Sequence, residues 1–208
     1  MTSALNDYYF DESKIHPFYY DIALQYMCDR KNIFAWLCEE IAQNFYTPTE
    51  ALEKLAFSKD PDVIAEVAGN SNTPVHILEK LASDSDMEVL WHLASNKNIS
   101  QEIIAQLMTK QDYYITLALA ENSQTPVSML RSWVNHQSNE IRANVARNIS
   151  SSADALKSLA NSSHQQTLWN VANNSNTPLE TLNKLAQHKN ESVRRVAKSN
   201  LKRKQDRS

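Results

Sequence analysis

Two tryptophans, Trp91 and Trp169, are the residues of this 208-residue chain best suited to recognition chemistry. Each is followed at once by a polar side chain, His92 and Asn170, and Leu117, Glu121, Asn144, Arg147 and Arg195 recur at related spacings. Aromatics and arginine are what protein interfaces concentrate at their most energetic contacts. Catalysis instead needs a nucleophile, acid or base held beside a partner group. No such set is written here. The six histidines, His16, His76, His92, His136, His164 and His188, form no H-x-H or H-x-x-x-H pair, the short spacings that place two ligands on one metal. His136 and His188 occupy equivalent positions two repeat units apart, roughly 20 Å if units stack at the usual helix spacing of about 10 Å. That is too far to share an ion. Cys28 and Cys38, ten residues apart, match no C-x-x-C pattern and read as reduced, buried thiols. No metal and no cofactor is expected.

The chain has one glycine, Gly69. Phosphate-cradling loops, dinucleotide-binding turns and nucleophile elbows all require glycine, so none of them can be built here. Tight hairpins want it too, which argues against an all-β fold. Net charge is −3, unevenly spread. Residues 191–208 hold seven Lys and Arg against two acids, +5, which leaves −8 for the rest. An acidic body suits a nucleic-acid groove poorly, because such grooves work by neutralising phosphates.

What positions the tryptophans is a repeat. The string NSNTP occurs at Asn70–Pro74 and at Asn174–Pro178, 104 residues apart, which is four times 26. Stepping by 26 picks out Asn44, Asn70, Asn96, Asn122, Asn148, Asn174 and Asn200 without a gap. Units then begin at Thr47, Thr73, Ile99, Thr125, Ser151 and Thr177. In each, a first helix is expected to open on Thr at the N-cap with Pro at the first helical position, as in TPTE, TPVH, TPVS and TPLE. An acid three residues past the cap (Glu50, Glu102, Asp154, Glu180) fits a capping box. Apolar columns follow at Leu52, Leu78, Ile104, Leu130, Leu156 and Leu182, and three residues on at Leu55, Leu81, Leu107, Trp133, Leu159 and Leu185. A second cap column, Asp60, Asp86, Asp112, Ser138, His164 and Asn190, opens a second helix. Its apolar stripe runs Val63, Val89, Ile115, Ile141, Thr167, Val193, then Val67, Leu93, Leu119, Val145, Val171, Ala197. The asparagine ends that helix and is expected in the left-handed conformation of a C-cap, with its amide free to bond the adjacent turn.

A 26-residue unit cannot bury its own apolar stripe, so units must stack. The fold expected is all-α, a right-handed α-solenoid of six 26-residue two-helix repeats with a degenerate N-terminal capping unit. The segments are 1–46, an N-terminal segment and helical cap rich in aromatics (Tyr8, Tyr9, Phe10, Phe18, Tyr19, Tyr20); 47–200, the repeats; and 201–208, a basic tail. Lys198 stands where earlier units carry alanine, which suits a terminal cap, although a one-residue deletion would realign this last unit.

The pattern N-x-x-T-P-x-x-x-L-x-x-L-A, then D-P-D-x-V and a helix ending V-A before the next N, resembles the leucine-rich repeat variant family. Here it reads NSNTPVHILEKLASDSDMEVLWHLASN, and it covers residues 44–200. The resemblance implies a right-handed superhelix of alternating α and short, sometimes 3₁₀, segments. The units are slightly longer than is usual for that family, so both helices are expected nearer to HEAT repeats. The family's iron–sulfur module needs more cysteines than this chain has. The family has no common activity, so the resemblance speaks to fold and not to function.

In a solenoid, binding lives in surface columns. The column Ala65, Trp91, Leu117, Ala143, Trp169, Arg195 and its neighbours are neither uniformly apolar nor uniformly charged. Two readings stand side by side: the tryptophans fill space between repeats, or they line a partner-binding groove on the concave face. From the second comes the expected function, a non-catalytic protein–protein interaction scaffold or adaptor. Its candidate contacts are Trp91, His92, Leu117, Glu121, Asn144, Arg147, Trp169, Asn170 and Arg195. Nucleic-acid binding through the basic C-terminus is the alternative. It includes a HEAT-like DNA glycosylase, which would pair concave tryptophans with an acid. Here a serine, Ser95, stands one turn after Trp91, and Glu121 is the column's one acid. Self-association through an acidic first end and a basic last end is a third reading. No signal peptide or membrane span is visible in MTSALNDYYFDESK or beyond, so a cytoplasmic location with no membrane partner is expected.

Overall fold

A computed structural model describes residues 35–206. Cys28, His16, the N-terminal aromatics and most of the 1–46 segment lie outside the described residues. Among the described residues there are thirteen α-helices and no strand. The chain divides into two compact units, residues 1–96 and 97–208.

In the first unit, α1 (Ala35–Gln43) precedes two helix pairs, α2 (Thr49–Leu55) with α3 (Pro61–Gly69) and α4 (Val75–Leu81) with α5 (Met87–Ser95). The second unit has four pairs: α6 (Gln101–Met108) and α7 (Tyr113–Glu121), α8 (Val127–Ser132) and α9 (Asn139–Arg147), α10 (Ala153–Leu159) and α11 (Gln165–Asn173), α12 (Leu179–Leu185) and α13 (Glu191–Gln205). Both members of every pair are α-helical. Second helices pack on one another, α1 on α3 on α5 in the first unit and α7 on α9 on α11 on α13 in the second. The anticipated columns are the core: Leu52, Leu78, Ile104, Leu130, Leu156 and Leu182 are fully buried, as are Ala68, Ala94, Ala120, Ala146 and Ala172.

The second-helix caps stand where the cap column places them. Asp60, Asp86, Asp112, Ser138 and Asn190 accept backbone amides from the first turn. His164 does not; its Nδ1 lies 3.1 Å from the Thr167 hydroxyl instead. The first-helix caps differ from expectation. Pro48, Pro74, Pro126 and Pro178 occupy the flanking cap position, with extended ψ, rather than the first helical position. The preceding threonine hydroxyl points backward. Thr73 donates to the Val67 carbonyl at 2.5 Å, Thr125 to Leu119 at 2.5 Å and Thr177 to Val171 at 2.6 Å. The last carbonyls of a helix are orphans, and the hydroxyl satisfies one of them. In the Ser-Ser unit the two tasks are split. Ser151 donates back to Val145 at 2.5 Å, while Ser152 accepts from the Ala155 amide at 3.2 Å. The expected capping box is not formed, because Glu50, Glu102, Asp154 and Glu180 stand two residues past their caps rather than three. Glu102 is held below the usual carboxylate range by its own backbone amide and then by the Ser100 hydroxyl. Glu140 is held low by the Ser138 hydroxyl and then by its own amide.

The asparagine column is also corrected. These residues are extended, not left-handed: Asn70 has φ −71°, Asn148 −61° and Asn174 −67°. The buried amides of Asn70, Asn148 and Asn174 each do three jobs. Asn148 Nδ2 donates to the carbonyls of Ala120 at 3.0 Å and Asn122 at 2.8 Å, residues 28 and 26 positions back. Its Oδ1 accepts from the Ser150 amide at 2.8 Å. Asn174 repeats this one unit on, and Asn70 and Asn96 donate in the same way within the first unit. The side chain is thus a rung between consecutive repeats. Asn200 makes the same two donations, to Ala172 and Asn174, both at 2.9 Å. The last unit therefore keeps the 26-residue register. The helix continues through Gln205, so residues 201–205 extend α13.

One backbone position is strained. Among the described non-glycine residues, only Gln111 has positive φ, at 51°. Left-handed backbone costs a side-chain-bearing residue about 1 kcal/mol. Gln111→Gly is expected to leave binding unchanged and raise stability by about 0.5 kcal/mol, after the extra entropy of an unfolded glycine. The shift in urea midpoint measures it.

Candidate recognition site on the second helices

The structure places Trp91 and His92 in the first unit and the other seven candidates in the second. Trp91 is exposed (40%), and its indole meets the His92 ring edge to face at 4.8 Å. The pair borders a shallow cleft of about 200 Å³ with Gln43, Glu66 and Gly69. The chain's one glycine lies against His92. Its φ is not positive; instead, a Cβ at Gly69 would sit 3.0 Å from His92 Nδ1. Later units carry Ser95, Glu121, Arg147 and Asn173 in that column.

In the second unit, α9, α11 and α13 form two grooves with Trp169 as the ridge between them. One, of about 290 Å³, runs from Ala143, Asn144 and Arg147 to Trp169. The other, of about 430 Å³, is lined by Trp169 with Gln165, Gln166, Asn190, Ser192 and Val193. Trp169 is 37% exposed, while its neighbour Leu168 is buried. Asn144 and Asn170 have structural work: Asn144 Nδ2 donates to the Leu117 carbonyl at 3.1 Å and Asn170 Nδ2 to the Ala143 carbonyl at 2.7 Å. Asn170 is buried. These two rungs brace the wall from which the indole projects. Leu117 is half-buried, and Glu121, Arg147 and Arg195 are exposed, with Glu121 and Arg147 in an ion pair.

Two histidines are locks rather than ligands. His136 Nδ1 accepts from the Ser138 amide and His188 Nδ1 from the Asn190 amide, both at 3.1 Å. The carbonyls of the same loops receive the guanidinium groups of Arg142 and Arg194. Arginine occupies this helix position only in the two units with histidine two residues before the second cap, His136 and His188; the others have Ile64, Leu90, Thr116 and Leu168. Among the described residues no group of three His, Cys, Asp or Glu could hold a metal.

The sequence reading passed over several contributors. Tyr113 and Tyr114, at the start of α7, are exposed and pack edge to face at 5.2 Å. Gln165, Gln166 and Asn190 line the larger groove. Lys202, Arg203 and Lys204, read as part of a tail, belong to α13. The charge also divides by unit. Residues 97–208 hold fifteen Lys and Arg against eight acids, +7, and residues 1–96 hold six against sixteen, −10.

Stacked helix pairs joined by buried asparagine rungs define a helical-repeat solenoid. The chain is similar in structure to a leucine-rich repeat variant described as having a novel repetitive structural motif. The TM-score is 0.55 and the identity 20%, over 88% of this chain and 82% of the other. A designed armadillo repeat protein aligns over 87% of this chain and 98% of its own, with TM-score 0.38 and 16% identity. No protein-family model and no curated protein matches the sequence. The first likeness establishes the fold, in agreement with the resemblance carried by the repeat pattern, and it says nothing of activity. No described helix is long and apolar enough to cross a membrane.

Proposed function

We propose that this protein is a non-catalytic interaction scaffold that holds a protein partner on the exposed face of its second helices. The observation that carries the reading is the ridge in the second unit. Trp169 is a large amphipathic side chain that stays 37% exposed between two open grooves, on a wall braced by buried amides. A rigid aromatic flanked by polar groups on regular elements is what interface hot spots are made of. Trp91 and His92 offer a comparable patch in the first unit. The mixed chemistry around both tryptophans supports recognition over catalysis. Glu121, the acid of that column, is paired with Arg147 rather than poised beside a nucleophile. The test is the double variant Trp91→Ala/Trp169→Ala, used as bait beside the wild-type chain in extracts of the native cell. Proteins retained by the wild type are expected to be lost from a variant whose far-ultraviolet circular dichroism is unchanged. Retention of the same proteins by the folded variant would show that the face is not the contact.

A further inference from the structure

We infer that the partner segment received by the second unit is acidic, a short stretch of Asp and Glu around one apolar anchor. The apolar residue lies against Trp169 and the carboxylates along α13. This rests on the proposed face and specifies the chemistry of what occupies it.

The argument begins with α13. Arg195, Lys198 and Lys202 follow one another at three- and four-residue steps, so they share one helix face. All three are exposed, and among the described residues no acidic side chain pairs with any of them. Seven residues at about 1.5 Å each put roughly 10 Å between the first and last of these cations. Arg203 adds a further charge one residue on. It flanks a cleft of about 300 Å³ with Lys204, Asn173 and Ser175. The stripe adjoins the ridge: Arg195 holds in α13 the repeat position that Trp169 holds in α11, and these helices pack on each other. The groove between them is lined by amides, a hydroxyl, a valine and the indole, with no charged side chain. A segment crossing it passes from the Trp169 indole to a row of unpaired cations. The second unit as a whole carries +7, which steers anions toward it.

A nucleic-acid strand would also meet a tryptophan and cations, but the stripe is short and bounded. Glu191 precedes Arg195 by four residues on the same face, and Asp206 follows Lys202 by four. A phosphate backbone running on in either direction would meet a carboxylate, whereas a short acidic peptide fits between the two. An extended chain of about three residues spans the roughly 10 Å from Arg195 to Lys202 at about 3.3 Å per residue, short of both carboxylates.

The experiment titrates the full chain with four fluorescein-labelled probes: a glutamate-rich peptide of about ten residues with a central Leu-Phe pair, the same peptide with Ser-Ser at its centre, its lysine-rich counterpart, and a single-stranded oligothymidylate of equal length. The Leu-Phe glutamate peptide is expected to bind at least about tenfold more tightly than the lysine or Ser-Ser probes, and to weaken with added salt. Arg195→Glu/Lys198→Glu/Lys202→Glu and, separately, Trp169→Ala should each lose about tenfold or more with unchanged circular dichroism. Equal binding of glutamate and lysine peptides, or tighter binding of the oligothymidylate, overturns the proposal. If the charge reversal is without effect while Trp169→Ala abolishes binding, the acidic preference is wrong and the recognition face stands. If only the charge reversal matters, Trp169 is no anchor, and both this proposal and the face reading fall in the second unit.

Discussion

Asn148→Ala lowers the stability of the chain by about 3 kcal/mol, out of proportion to the few atoms removed. The side chain is 3% exposed, and its three hydrogen bonds reach Ala120, Asn122 and Ser150. Deleting it removes three hydrogen bonds, each worth about 1 kcal/mol, although the Asn122 carbonyl keeps the Thr125 amide. Asn148→Asp tests the geometry more sharply. A carboxylate still accepts from the Ser150 amide, but it sets negative oxygen against two carbonyl oxygens where Nδ2 had donated. Burial and those carbonyls would raise the pKa of the new acid in the folded state above its unfolded value. The folded protein then holds the proton more tightly, so the variant is least destabilised below about pH 4 and loses stability as pH rises through that folded pKa. Asn173→Ala, at the exposed position just before the equivalent rung Asn174, is the control and should shift stability by less than about 0.5 kcal/mol. Urea midpoints at neutral and acid pH measure all three. An Asn148→Ala effect no larger than that of Asn173→Ala would show that the rungs are decorative. Two compact units need not melt together, so the midpoint of the transition that the substitution moves is the quantity to compare.

The asparagines also show where the sequence is legible and where it is not. Their period, the leucine and alanine columns and the second-helix caps can all be read directly, because each follows from a local rule about helix faces and orphan amides. Trp133 stands in the leucine column and is buried there as the column requires. The two misread joints share a physical cause. Thr before Pro has the same sequence signature whether its hydroxyl caps the helix ahead or donates to the helix behind. Asparagine after a helix looks the same whether it turns left-handed or reaches sideways to the preceding repeat. The deciding partners, such as the Ala120 and Asn122 carbonyls for Asn148, lie a full repeat away, where local propensity does not see them. Asn144 and Asn170, named among the candidate contacts, also have partners a repeat away. Their polarity at a surface column is real, but their amides are engaged with the helix behind. Trp169 and Arg195 are left in the second unit as exposed side chains that no hydrogen bond or ion pair among the described residues ties to a neighbouring repeat, while Arg147 is paired with Glu121. The uneven charge was legible as +5 over residues 191–208, but its true extent, +7 over residues 97–208 against −10 over 1–96, was not. That split became visible only once the compact units were defined.

Leu168→Ala and Trp169→Ala, adjacent in sequence, are expected to separate folding from recognition. Leu168 is 3% exposed and packs into the interior of the second unit, so truncation leaves a cavity and costs about 3 kcal/mol. Trp169 is the larger residue, and on size alone it should cost more. Its indole is 37% exposed, however, and borders open grooves on both sides, so much of the space it vacates is already solvent. Its loss is expected to cost about 1 kcal/mol of stability. The order reverses in binding. A hot-spot tryptophan typically carries 2 kcal/mol or more, so Trp169→Ala should weaken partner or acidic-peptide binding by about thirtyfold or more. Leu168→Ala, measured where it is still folded, should bind nearly as the wild type does, because the surface it supports is unchanged. Urea denaturation and a peptide titration on the same two variants give both numbers. If Trp169→Ala costs as much stability as Leu168→Ala and leaves binding intact, the indole is a piece of the core that happens to reach the surface. The recognition face of the second unit would then have to be sought elsewhere, with the exposed Tyr113–Tyr114 pair at the start of α7 as the next aromatic ridge to remove.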